Sequence, residues 1–194
     1  MSYGVLAGGW ILYLMLHSAL ASEGVKQAAQ SLLGRHYRFY RLGYSVVATI
    51  GLVALLIVNG SISASYYFEP SGLPRYASLI LTTVGVMIMQ RAFKNYRLKA
   101  FLGFEQEESQ LRTRGVLAWV RHPIYSGLIL ITLGFFLFIP NLPTLITCGA
   151  ILLYLPIGIY LEEKKLIREY GDAYRKYKEE VPALIPRWGA IKGR

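Results

Sequence analysis

The residues best suited to chemistry begin with a short motif, Arg121-His122-Pro123-Ile124-Tyr125. Proline has no N–H and is tolerated at the first helical position, so Pro123 predicts the start of a helix. Arg121 and His122 then come just before that helix, and Tyr125 lies in its first turn. The free N–H groups and the dipole at such an end favour an anion such as a carboxylate. The alternative is an interfacial anchor, with arginine on a lipid headgroup and tyrosine in the aromatic belt.

Two adjacent glutamates, Glu162 and Glu163, follow the last long apolar stretch of the chain. Carboxylates at a helix C-terminus oppose the helix dipole, so their position suggests that one of them binds a cationic group. Lys164 and Lys165 follow directly, which makes a solvated, charge-balanced rim the alternative.

A tight turn is predicted to bring these two groups together. Two prolines three residues apart in Pro140-Asn141-Leu142-Pro143 break the apolar run between the Arg121 motif and the glutamates and force a helical hairpin. Both ends of the hairpin then return to the same surface. An anion site beside a cation site suits an amino-acid-like ligand, which carries an ammonium and a carboxylate.

An aromatic pattern follows the glutamates. Apolar residues recur at spacings of three and four, which is typical of one face of an amphipathic helix, at Ile167, Tyr170, Tyr174, Tyr177 and Val181. Such a helix either lies on an anionic membrane surface or closes over a planar ligand. The segment 181–186 that comes next, with prolines at 182 and 186, is predicted to fold back as an extended cap.

Composition and charge pattern predict the elements that position these residues. The 194 residues are 54% hydrophobic and 16% charged, against about 25% charged in soluble domains. This excludes an ordinary soluble globule, a disordered chain and a disulfide-stapled module. Long uncharged stretches predict an all-α, polytopic membrane protein with one domain over residues 1–194. Five transmembrane helices are expected at about 5–20, 44–61, 76–93, 124–139 and 144–161, with cytoplasmic segments at 94–123 and 162–188.

The distribution of basic residues predicts the orientation. All but one of the 21 lysines and arginines fall in the segments that alternation places on one side, and Arg75 is the exception. The positive-inside rule therefore puts the N-terminus outside and the C-terminus in the cytoplasm, in a membrane that is expected to be a prokaryotic inner or cell membrane. The same asymmetry explains the net charge of +10 without nucleic acid. Membrane lipids are the expected surroundings, and the sequence indicates neither a metal site nor a cleaved signal peptide.

The motifs together resemble the isoprenylcysteine carboxyl methyltransferase superfamily of integral membrane methyltransferases. The resemblance covers Arg121 to Pro186: R-H-P-x-Y-x-G, a helical hairpin, E-E-x-x-L, G-x-x-Y-x-x-Y and V-P-x-L-I-P. Three earlier motifs are similar to the NnrU-like and methanethiol S-methyltransferase branch: residues 17–22, Tyr37-Arg38-Phe39-Tyr40-Arg41 and Phe101-Leu102-Gly103-Phe104. The resemblance implies S-adenosylmethionine as cofactor and S-adenosylhomocysteine as product.

The resemblance also implies roles for individual residues. His122, Pro123 and Tyr125, with Arg121, would meet the carboxylate of the cofactor, and Glu162 or Glu163 its ammonium group. The C-terminal segment from Tyr174 through Leu184 to Pro186 would line the nucleoside. We assign Arg121 the further role of steering the nucleophile electrostatically. His17, near the cytoplasmic end of the first span, is a candidate substrate-side residue, with helix packing as the equal alternative.

The expected function is therefore methyl transfer to a small thiol or a lipid-like acceptor, of prenylcysteine or phospholipid type. An NADPH-dependent reductase of sterol-reductase-like architecture is the first alternative, although a 2′-phosphate calls for arginines near the adenine and Arg187 alone is thin support. A non-catalytic membrane scaffold is the second alternative.

Overall fold

The computed structural model describes residues 2–94 and 111–187. Within these ranges the chain is dominated by α-helices, which are α1 (Tyr3–Ala21), α2 (Glu23–Leu33), α3 (Tyr40–Ser61), α4 (Leu73–Phe93), α5 (Pro123–Phe138), α6 (Leu142–Tyr170) and α7 (Asp172–Glu180). Two 3-10 turns, Gly34–Phe39 and Gly115–Ala118, precede α3 and α5. The Phe101-Leu102-Gly103-Phe104 motif, most of the expected 94–123 segment and Trp188 lie outside the described residues.

Among the described residues, four helical stretches are long and apolar enough to cross a membrane: Tyr3–Ala21, Glu23–Ser61, Leu73–Phe93 and Leu142–Tyr170. The second of these comprises α2, the turn after it and α3. The fifth expected span corresponds to α5, which is apolar but only 16 residues long. The prediction of an all-helical protein with several membrane-spanning helices is thus confirmed, and the count of five remains a prediction.

The helix bounds differ from the sequence expectation in two places. α6 continues to Tyr170, nine residues beyond the expected end of the span, so Glu162 and Glu163 lie inside a helix and not at its C-terminus. α2, which the sequence analysis treated as part of a connection, begins directly after α1, where the Ser22 hydroxyl accepts a hydrogen bond from the Val25 N–H.

The described chain divides into two compact units. The first unit consists of residues 2–67 and 141–150, which carry α1, α2, α3 and the start of α6. In it α1 packs closely on α3, where a Cβ added at Gly9 would lie 2.8 Å from the Leu55 side chain. A buried polar cluster joins three helices, because the Thr147 hydroxyl accepts hydrogen bonds from Trp10 Nε1 at 3.0 Å and Asn59 Nδ2 at 2.9 Å.

The second unit consists of residues 68–94, 111–140 and 151–187. Its α4 and α5 pack through glycines: a Cβ added at Gly127 would lie 2.7 Å from the Gly85 carbonyl oxygen, and one at Gly134 would clash with Thr82. Close backbone contact of this kind is the common way for helices to associate in membranes. Arg121 and His122, at the N-terminal end of α5, belong to this unit, and so do Glu162 and Glu163 on α6.

Candidate functional site

The C-terminal segment is hydrogen-bonded to the start of α5. The Arg121 N–H donates to the Pro182 carbonyl at 2.9 Å and the His122 N–H to the Ala183 carbonyl at 3.0 Å. The Ser126 hydroxyl donates to the Leu184 carbonyl at 2.6 Å. The expected extended segment after α7 is therefore found, and it takes up two backbone N–H groups beside the helix start that the sequence analysis left free for an anion.

Glu163 is the centre of a buried ionic cluster. Its Oε1 accepts hydrogen bonds from Arg121 Nη2 at 2.7 Å and Nε at 3.1 Å and lies 3.2 Å from His122 Nε2. Its Oε2 is 2.6 Å from Lys178 Nζ on α7. Burial by itself raises the pKa of the Glu163 carboxyl, but hydrogen bonds from Lys178, Arg121 and His122 favour the ionised form and lower that pKa to about 2.

The Arg121 guanidinium is engaged on all sides. Besides Glu163, its Nη1 donates to the carbonyl of Lys178 at 2.9 Å and to that of Val181. Its side chain is only 8% exposed. The arginine therefore ties α6 to the end of α7 and to the segment that follows, because each of its three nitrogens has an acceptor.

Glu162 differs from its neighbour. Its side chain is 40% exposed, and its ion-pair contact among the described residues is with His122 Nδ1 at 3.5 Å. His122 is buried, with one ring nitrogen facing each glutamate. His122 therefore lies between the two carboxylates and contacts both of them.

Tyrosines surround this cluster. The Tyr125 ring lies 5.6 Å from the His122 ring, centroid to centroid. Tyr174 and Tyr177 are buried with Val181 in a small apolar cluster. The Tyr177 hydroxyl donates to the Leu117 carbonyl at 2.6 Å, whereas the buried Tyr174 hydroxyl has no hydrogen-bond partner among the described residues. The aromatic face thus packs on the protein itself, and its contact with a membrane surface or with a planar ligand stays a prediction.

The sequence-predicted residues meet in one place with few exceptions. Arg121, His122, Glu162 and Glu163 form direct contacts, so the expected adjacency of a cationic and an acidic group is found. The difference is that Arg121 and Glu163 neutralise each other, since a buried charge is costly unless it is paired. Pro123 is the first residue of α5, and the carbonyl of Leu184 accepts a hydrogen bond from Ser126. Pro186 is exposed on the segment that follows Leu184.

Sequence reasoning missed two residues of this site, and one predicted residue belongs to the other unit. Neither Lys178 nor Ser126 was among the predicted site residues. Only a contact between distant parts of the chain identifies either of them. His17 belongs to the first unit, where its ring stacks 6.1 Å from that of Tyr13.

Comparison with known proteins identifies the family. The model of the NnrU protein family matches residues 5–191. The chain belongs to the NnrU family. This confirms the resemblance to the isoprenylcysteine methyltransferase superfamily, and to its NnrU-like branch, that the motifs indicated.

Three relatives within the superfamily are similar to the chain over ranges of different length. Methanethiol S-methyltransferase 1 of Bradyrhizobium diazoefficiens is 36% identical over 92 residues, which is 44% of this chain and 29% of the relative. Protein-S-isoprenylcysteine O-methyltransferase of Schizosaccharomyces pombe is 35% identical over 77 residues, 39% of this chain and 33% of the relative. The methanethiol S-methyltransferase of Pseudomonas deceptionensis is 24% identical over 190 residues, 90% of this chain and 69% of the relative.

The first two of these matches therefore span about a third of the length of the relatives. No solved structure matches the chain.

Proposed function

We propose that this NnrU-family protein is an integral membrane methyltransferase that uses S-adenosylmethionine and methylates a small thiol or a lipid-like acceptor. Relatives named methanethiol S-methyltransferase and protein-S-isoprenylcysteine O-methyltransferase support the reaction class. The observation that carries the proposal is the position of Glu162, a partly exposed carboxylate 3.5 Å from His122 at the start of α5.

The residues present fit the cofactor. A methionine moiety has an ammonium and a carboxylate. Glu162 is the acceptor left for the ammonium, because its side chain is 40% exposed and Glu163 is already bound by three donors. The first-turn N–H group of α5 at Ile124 has no acceptor within the helix and suits the carboxylate. The buried Tyr174 hydroxyl lacks a partner among the described residues and suits a polar group of the nucleoside.

The residues of this chain position the methyl donor and the nucleophile. When bound, S-adenosylmethionine would supply an electrophilic methyl group, and its sulfonium would become the neutral thioether of S-adenosylhomocysteine as a nucleophile takes the methyl group. A thiol acceptor has an ordinary pKa of about 8.5, so it reacts as the thiolate. Glu162 and the start of α5 orient the donor, and the apolar helices keep water from the nucleophile. We assign Arg121 a positioning role in place of the predicted steering role, since its guanidinium is held by Glu163 and two carbonyls.

The proposal includes the topology. Five spans, formed by α1, α3, α4, α5 and the apolar part of α6, place the N-terminus outside and the cluster around Glu163 on the cytoplasmic side of a prokaryotic inner or cell membrane. The cofactor then binds from the cytoplasm, and an apolar acceptor reaches the site from the bilayer.

A matched pair of variants tests the cofactor site. Glu162→Gln should weaken binding of S-adenosylhomocysteine by about 10-fold or more, because it removes a charged hydrogen-bond acceptor, and should leave the melting temperature of the ligand-free protein near that of the wild type. Glu163→Gln should lower that melting temperature, because Arg121 and Lys178 lose their partner. Binding is measured by calorimetry in detergent and stability by thermal unfolding.

The same samples test the alternatives. A rise in melting temperature with NADPH and none with S-adenosylhomocysteine would favour a reductase, and no response to either would favour a scaffold. Unchanged S-adenosylhomocysteine affinity in Glu162→Gln would remove this glutamate from the site. Labelled cofactor offered with a small thiol or a prenylcysteine then identifies the acceptor.

A further inference from the structure

The segment between the first two apolar helices carries an unassigned surface. α2 is amphipathic: Val25, Ala29, Leu32 and Leu33 follow the spacing of one helix face, with Gln27 on the opposite side. Ala29 is buried against the protein, but Leu32 is 84% exposed and Leu33 43% exposed. Val25 is 37% exposed, so three large apolar side chains of this face are left uncovered by the described chain.

The helices on either side of α2 indicate that the membrane surface covers this face. Only Ser22 separates α2 from the apolar α1, and the turn Gly34–Phe39 leads directly into the apolar α3. The Tyr40 hydroxyl at the start of α3 donates to the Leu20 carbonyl at the end of α1 at 2.8 Å, which holds both ends of the segment together. A helix of 11 residues, about 16 Å long, that is attached to two membrane spans in this way stays at the membrane surface.

The turn after α2 adds positive charge beside the apolar face. Arg35, His36 and Arg38 are all exposed. Lys26 is paired with Glu23 at 3.3 Å, and Glu23 is the one acidic residue in the sequence before Glu69. The arginines of the turn are therefore not neutralised by any nearby carboxylate of their own segment, which suits an anionic partner.

We propose that α2 and the turn Gly34–Phe39 form a binding site for an anionic phospholipid of the cytoplasmic leaflet. Leu32 and Leu33 enter the acyl-chain region, as in other interfacial helices, and Arg35 and Arg38 bind the lipid phosphate. Guanidinium groups suit this role because they pair with phosphate oxygens in a bidentate manner. None of its residues belongs to the cluster around Glu163, and its position in the cytoplasmic leaflet rests on the topology that is part of the proposed function.

The depth of α2 is tested with spin labels on the full chain in lipid nanodiscs. Cys148, the one native cysteine, is first replaced by alanine. A nitroxide at Leu32→Cys should then collide mainly with oxygen, which concentrates in the bilayer, and one at Gln27→Cys mainly with a water-soluble nickel chelate. Equal nickel accessibility at the two positions would overturn the proposal.

The charge is tested by titrating phosphatidylglycerol into nanodiscs of phosphatidylcholine and counting retained lipids by native mass spectrometry. Arg35→Gln with Arg38→Gln should weaken phosphatidylglycerol retention about 30-fold, because each basic residue near an anionic surface contributes about 1 kcal/mol. The control Arg175→Gln removes an arginine that is paired with Asp172 at 2.6 Å and should retain the lipid like the wild type. Retention that is the same in the double variant and the control would overturn the proposal.

Discussion

At the scale of single residues, adjacent glutamates with the same chemistry have different surroundings. Glu163 is held by Arg121, His122 and Lys178, while Glu162 keeps an exposed carboxylate. The sequence predicted that both belong to the site but left open which one binds the ligand. The distinction depends on Lys178, whose approach is decided by the packing of α7 and leaves no local signal.

The low pKa of Glu163 predicts an acid-sensitive site. The folded-state pKa of about 2 lies below the ordinary 4.5, so the ionised carboxylate stabilises the fold above pH 4.5, and this stabilisation is lost as the pH falls towards 2. The melting temperature of the wild type should drop through this window, and Glu163→Gln should flatten the drop. Asp172→Asn, at a carboxylate that is 91% exposed, serves as the control and should follow the wild-type profile.

Two buried tyrosines predict opposite effects of the same substitution. Tyr174→Phe removes a buried hydroxyl that has no partner among the described residues and should raise the free energy of unfolding of the ligand-free protein by about 1–3 kcal/mol. Tyr177→Phe removes the hydrogen bond to Leu117 and should lower it by a similar amount. Denaturant titration of both variants checks this. A loss of stability in both would mean that the Tyr174 hydroxyl is satisfied in the ligand-free protein.

At the scale of elements, the apolar segments were predictable and the segments between them were not. Runs without charge located α1, α3, α4, α5 and the first part of α6 within a few residues, because a membrane helix depends on composition over about 20 positions. α2 has only 11 residues and a mixed composition, so no comparable pattern predicts it. The part of α6 beyond Leu161 contacts α7: Glu163 pairs with Lys178, and Leu166 packs against the apolar cluster that contains Tyr174. Such contacts join residues that are far apart in the sequence, so a local pattern does not predict this extension.

The glycines between α4 and α5 predict a packing defect on substitution. Gly127→Ala places a Cβ 2.7 Å from the Gly85 carbonyl oxygen, a contact with backbone that only a shift of the helices relieves. It should destabilise the protein by about 1–3 kcal/mol. Gly149→Ala, where nothing lies within 4 Å of the added Cβ, is the matched control and should be neutral or stabilising. Thermal unfolding in detergent compares the two, and equal melting temperatures would contradict the close approach of these helices.

At the scale of the whole molecule, charge asymmetry predicts the orientation. In a Cys148→Ala background, Ser2→Cys should react with a membrane-impermeant maleimide in intact cells, whereas Glu179→Cys should react only after the membrane is permeabilised. Both positions are exposed. The reverse pattern would invert the topology, and labelling of both in intact cells would require an even number of spans. The labelled fraction is read by gel shift.

The bonds that join the last described segment to the start of α5 bear on how the protein matures during synthesis. Pro182, Ala183 and Leu184 supply the carbonyls for Arg121, His122 and Ser126. The described apolar helices are therefore all synthesised before these carbonyls and can insert into the membrane first. A nascent chain that has not been extended to Leu184 lacks part of this hydrogen bonding, so the surroundings of Arg121 are completed only after the described apolar helices have been made.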